Sequence, residues 1–113
     1  MHMEFSTKED LGLVELSGDL NVVRVDPFRQ QFRDWFLANP DVKHVVIDFQ
    51  DVPMIDSAGL GALVALLKQI AERGGSLSLT GLRKRVRLVF EITRTIRVFS
   101  VYDSVEQALA AID

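Results

Sequence analysis

The sequence predicts an α/β fold: a single domain holding a mixed, mostly parallel sheet of about five strands and four helices, in the order β-β-α-β-α-β-α-β-α. Three observations point there. At 113 residues the chain has the length of one hydrophobic core and no room for a second. Short runs of β-branched and aliphatic residues alternate along it with longer stretches in which apolar residues recur every three or four positions. From the second run onward a helical stretch separates each strand from the next, which is the connection that parallel pairing requires.

Met1-His2 ahead of a second methionine, Met3, reads as an addition before the native start, so the domain is taken as residues 3–113 and His2 is given no role. Glu4 to Thr7 and Leu11 to Ser17 form an opening hairpin around a polar Lys8-Glu9-Asp10 turn. After Gly18-Asp19-Leu20-Asn21, Asp26 is placed as the N-cap of the first helix and Pro27 at its first helical position. Val25, Phe28, Phe32, Trp35 and Phe36 make that helix an aromatic stripe, read as a core face rather than a cofactor box. Asn39-Pro40 closes it.

Val45-Val46-Ile47-Asp48-Phe49 has the pattern of a strand buried on both faces, and it belongs at the centre of the sheet. A helix follows from Ser57 to about Arg73, with Leu60, Leu63, Val64, Leu67, Ile70 and Ala71 on one face and Gly74-Gly75 as the stop. Leu77 and Leu79 alternate with Ser76, Ser78 and Thr80 as a strand. Arg83 to about Glu91 is a helix turning Val86, Val89 and Phe90 inward, and Val98 to Val101 is a last short strand. Ser104 opens the final helix through a capping box to Gln107, with Val105, Ala108, Leu109 and Ile112 as its apolar face.

Composition narrows the function. A chain 48% hydrophobic and 26% charged is an ordinary globular protein. The absence of cysteine removes disulfides, thiolate metal sites and cysteine nucleophiles. His2 and His44 have no metal-ligand spacing, so no metal or cofactor is expected. A net charge of −3 argues against general binding of nucleic acid, which needs a surplus of Lys and Arg. With neither a long apolar run nor a signal-peptide pattern, the expectation is a cytosolic protein without membrane insertion.

The stretch that carries chemistry runs from Val45 to Leu63. A serine at the N-cap or first position of a long helix faces unpaired backbone N–H groups and the positive end of the helix dipole. A phosphate attached at Ser57 would be stabilised there, and its charge beside Asp56, with Asp51 in the same loop, would alter the local field enough to expel a partner that fits the neutral hydroxyl. Gly59 and Gly61 leave space in which another protein's backbone could approach, at a cost of roughly 1 kcal/mol each in helix propensity. The structural alternative is a plain Asp-Ser helix cap with glycines that serve helix packing.

Ile55-Asp56-Ser57-Ala58-Gly59-Leu60-Gly61, following Val45-Val46-Ile47-Asp48-Phe49, resembles the signature of STAS domains, in particular bacterial anti-sigma factor antagonists. Gly18-Asp19-Leu20, Gly74-Gly75-Ser76-Leu77, Tyr102-Asp103-Ser104 and Ala108-Leu109 extend the likeness over almost the whole chain. The resemblance implies a protein without enzymatic activity whose unphosphorylated form binds an anti-sigma factor that is also a serine kinase, freeing a sigma factor. It implies Ser57 as the phosphate acceptor, a serine phosphatase that resets the state, and a monomer or weak dimer. Partner contacts are expected at Asp19, Asn21, Asp56, Ser57, Ala58, Gly59, Leu60, Gly61 and Leu63. Two departures stand out: Asn21 replaces a frequent Asp, and Thr93-Arg94-Thr95-Ile96 replaces the usual Thr-Gly-Leu.

Other readings are weaker. A constitutive STAS subunit of a membrane transporter complex is the alternative from another class. Nucleotide binding at the Ser57 helix start lacks a phosphate-cradling Gly-Lys motif. Asp48 and Asp51 have no nucleophile or oxyanion partner that would make them a general acid-base pair. Arg83, Lys84, Arg85, Arg87, Arg94 and Arg97 read as a solvated helix face or as a patch for an acidic partner.

Overall fold

The computed structural model describes residues 1–112, so Asp113, the last residue of the expected domain, lies outside the described residues. The elements are β1 (His2–Lys8), β2 (Leu11–Ser17), α1 (Val25–Ala38), β3 (His44–Asp51), α2 (Ser57–Glu72), β4 (Ser76–Thr80), α3 (Lys84–Ile92), the 3-10 turn η1 (Thr95–Arg97), β5 (Ser100–Tyr102) and α4 (Val105–Ala111). One sheet runs β1-β2-β3-β4-β5 in space. Its β1–β2 pair is antiparallel and its later pairs are parallel, as expected.

Strand order in space follows chain order, and parallel crossovers turn with one hand, so the three crossover helices fall on one face of the sheet. Phe28, Phe32 and Phe36 of α1, Leu60, Leu63, Leu66 and Ile70 of α2, and Val86 and Phe90 of α3 share a single buried cluster with Val45, Ile47, Phe49, Leu77 and Leu79 of the central strands. The short α4 folds back over β3, β4 and β5, above the alternate residues Val46 and Ser78, which are also buried. That burial on both sides is why β3 reads as an unbroken apolar run.

Several boundaries differ from the sequence expectation. The first helix is capped by Arg24 and not by Asp26. The reason is Asn21, whose Oδ1 accepts the N–H groups of Val23 and Arg24 at 3.1 and 3.2 Å and curls the chain into the helix two residues early. The last strand is Ser100–Tyr102, because Thr95–Arg97 form a tight turn where the strand was expected to approach. His44 is the first residue of β3, with Nδ1 2.7 Å from Ser76 Oγ. Leu109, expected on the inner face of the last helix, is exposed, and Ala108 is the fully buried contact. His2 extends β1 by pairing with Ser17.

Arg73 ties the helical layer together. It caps the C-terminus of α2, and its guanidinium donates to the carbonyls of Phe36, Asn39 and Val42 at 2.9–3.0 Å while lying 3.4 Å from the centre of the Phe36 ring. The Phe36 and Asn39 carbonyls also accept the Asn39 and Val42 N–H groups at 3.3 and 3.1 Å, so Arg73 fills the second acceptor position of carbonyls at the end of α1 and in the following loop. Arg73→Ala is expected to cost about 2 kcal/mol in urea unfolding, and Arg73→Lys to recover less than half of that, since an ammonium cannot reproduce the planar fork.

Candidate functional site

The segment leaving β3 and the segment leaving β2 lie side by side. Leu20 N–H donates to the Met54 carbonyl at 2.9 Å, Asp56 N–H donates to the Leu20 carbonyl at 3.3 Å, and Leu20 and Ile55 form a single parallel bridge. The loop from Gly18 to Arg24 is thereby held against the start of α2, although 34 residues of sequence separate Val22 from Asp56.

Asp56 fastens that arrangement. As the N-cap of α2 it accepts the Gly59 N–H on Oδ1 at 2.9 Å. Its other oxygen, Oδ2, accepts the Val22 N–H at 2.9 Å. One carboxylate thus serves two backbone donors, one in the helix and one in the neighbouring loop. The Gly59 N–H is the main reason that the Asp56 carboxyl titrates below its ordinary range; partial desolvation works against it, and the Val22 N–H adds to it.

Ser57 is the first residue of α2 and is exposed. Capping falls to Asp56, so the serine hydroxyl is not needed to start the helix. Helical periodicity then divides the residues expected at the partner surface. Ser57 and Gly61, one turn apart, face outward; Asp19, Asn21, Asp56 and Ala58 are half-buried. Gly59, Leu60 and Leu63 turn inward and are buried, so they support the surface and do not form it.

The two glycines consequently have different causes. A Cβ at Gly59 would collide with the Leu20 carbonyl oxygen, so this glycine allows the two loops to touch. A Cβ at Gly61 would meet nothing within 4 Å. The expectation that both open space for a partner holds in geometry for Gly61 alone.

The sequence reading missed the apolar rim. Val22 and Val23 are 67% and 78% exposed, and Met54 is 44% exposed. The bond from the Val22 N–H to Asp56 ties Val22, and with it the adjacent Val23, to the start of α2, and Met54 sits in the adjoining loop. A signal was available: two adjacent valines lie between a polar turn and a helix start, where neither a sheet nor a helix face claims them. Asp48, by contrast, spends Oδ1 on the Gln50 N–H at 2.9 Å, a local turn with no catalytic geometry.

A family model described as the STAS domain matches residues 2–108. A Thermotoga neapolitana protein provisionally named an anti-sigma factor antagonist is 32% identical over 101 residues, covering 89% of this chain and 88% of its own. The anti-sigma-B factor antagonist of Bacillus subtilis is 31% identical over 80 residues, 71% of each chain. The crystal structure of a provisionally named anti-sigma factor antagonist from Thermotoga maritima superposes with a TM-score of 0.89 at 25% identity, covering 97% of this chain and 93% of that one.

Gly59→Ala should lower the unfolding midpoint by separating the loops, whereas Gly61→Ala should raise stability by up to about 1 kcal/mol through helix propensity; chemical denaturation of both variants checks this. Because the Asp56 carboxyl titrates lower in the folded than in the unfolded chain, its contribution is present above the unfolded value and is lost as pH falls through the lowered one. In acid titrations followed by NMR, the Val22 and Gly59 amide protons should shift together over that window, and Asp56→Asn should abolish the joint transition.

Proposed function

The chain belongs to the STAS domain family, and from that membership we propose that it is an anti-sigma factor antagonist whose unphosphorylated form binds an anti-sigma factor/serine kinase and releases a sigma factor. Phosphorylation of Ser57 ends that binding, and a serine phosphatase restores it. The observation that carries this reading is an exposed serine at the first position of α2, excused from capping by Asp56 and bordered by the exposed Val22, Val23 and Met54.

The physics of the switch is local. In the neutral state the partner covers an apolar rim around one hydroxyl and one buried-edge carboxylate. Esterification adds about −1.5 to −2 charges and three acceptor oxygens. The helix N-terminus tolerates that charge, so the fold survives. A partner, however, would have to desolvate a dianion next to Asp56 in order to reach Val22 and Met54, and the apolar contacts cannot offset this. The relatives' names as anti-sigma factor antagonists support the same assignment.

Incubation with an anti-sigma serine kinase and ATP, followed by intact mass measurement, should show one added phosphate that Ser57→Ala eliminates. Ser57→Asp should weaken kinase binding tenfold or more with an unchanged unfolding midpoint. Phosphate appearing on the Ser57→Ala variant, or native affinity in Ser57→Asp, would defeat the proposal.

A further inference from the structure

The helix α3 and the turn η1 carry a second surface that the Ser57 site does not use. Residues 83–97 hold six of the chain's thirteen basic residues and one of its sixteen acidic ones, in a protein of net charge −3. Arg83 is engaged, donating through Nε to the Gln50 carbonyl at 2.9 Å. Lys84, Arg85, Arg87, Arg94 and Arg97 are exposed, and the ion pairs found among the described residues, His2–Glu4 and His44–Asp10, involve none of them.

Within this basic ground lies an apolar stripe. Val86 and Phe90 point into the core, which leaves Leu88 and Ile92, one turn apart on the outer face, 53% and 71% exposed. Val98, just after η1, is 54% exposed. An apolar centre with arginine around it has the composition of a protein interface, where charge is depleted at the middle and Arg is enriched. Nucleic-acid phosphates have no use for the aliphatic centre. A bilayer would receive only a few side chains from a helix whose other face is already packed.

Arg94 adds an independent indication. Its backbone is left-handed, φ 61°, a conformation that costs an L-residue and is free for glycine. An arginine therefore occupies a position where glycine would be more stable, as expected of a side chain kept for contact and not for folding.

We propose that α3 and η1 form a docking surface for an acidic protein segment that inserts apolar side chains between Leu88, Ile92 and Val98 while its carboxylates meet Lys84, Arg85, Arg87, Arg94 and Arg97. The occupant follows from charge complementarity: with six basic residues and one acidic, residues 83–97 are the most strongly cationic stretch of a chain of net charge −3, so an anionic partner is favoured here. The proposal rests on α3 and η1 and not on the reading of Ser57.

The test titrates isotope-labelled protein with four probes: a synthetic helical peptide of glutamate and leucine, the same peptide with every leucine replaced by glutamine, vesicles of equal parts phosphatidylcholine and phosphatidylglycerol, and a mixed-sequence DNA duplex. The glutamate-leucine peptide should bind most tightly, shift the amides of residues 84–98 and weaken as salt is raised. Ile92→Ser and the double variant Arg85→Glu/Arg87→Glu should each lose roughly tenfold in affinity. Arg94→Gly should unfold at higher denaturant and yet bind more weakly, a split that a purely structural arginine would not give. Ser57→Asp should leave peptide binding unchanged, so failure here is separable from failure of the phosphorylation reading. Tighter binding of vesicles or duplex, shifts mapping elsewhere, equal binding of the leucine-free peptide, or an Arg94→Gly variant that binds like the native chain would each overturn the proposal.

Discussion

Two segments far apart in sequence meet at Asp56, whose carboxylate adds to the backbone bonds that already join Leu20 to Met54 and Asp56. Asp56 accepts one backbone N–H from its own helix and one from the loop after β2, and most of what surrounds the candidate site depends on that double acceptance. The loop cannot lie there unless Gly59 lacks a side chain, and the helix cannot begin there unless something other than Ser57 satisfies its first donors. The Asp-Ser-Ala-Gly run therefore states a steric and hydrogen-bonding solution as well as a family signature. Asp caps, Ser remains available, and Gly admits the neighbouring strand's extension.

The fold was legible because each crossover helix shows a one-sided apolar pattern and each central strand a continuous one. Phe28, Phe32 and Phe36 all reach the core that their spacing implies, whereas the β1-β2-β3-β4-β5 order in space is a finding of the structure, since crossover handedness fixes the face on which a helix packs and not the sequence of strands across the sheet. What sequence alone did not reveal has local causes. The early start of α1 depends on the Asn21 side chain folding back on its own loop, a choice that competes with the stronger-looking Asp26-Pro27 signal. The shortened β5 depends on a left-handed residue at Arg94, which side-chain type does not advertise.

At the site, residue identity was easier to read than orientation. Asp56 and Ser57 stand where a helix start places them, but the neighbouring Gly59, Leu60 and Leu63 are buried because a helix turns 100° at each step. A motif written as a line of letters hides that rotation. The exposed valines at 22 and 23 were equally hidden, because their proximity to Ser57 comes from tertiary hydrogen bonds.

The division of labour between positions 56 and 57 has an evolutionary corollary. Position 56 must offer a short acceptor able to reach two amides at once, so few residues suit it. Position 57 answers to no such demand from the scaffold, and a chain of this architecture can exchange one hydroxyl-bearing residue for another, or surrender the hydroxyl entirely, without jeopardising its fold. Descendants could therefore acquire or abandon covalent control while inheriting the same scaffold unchanged.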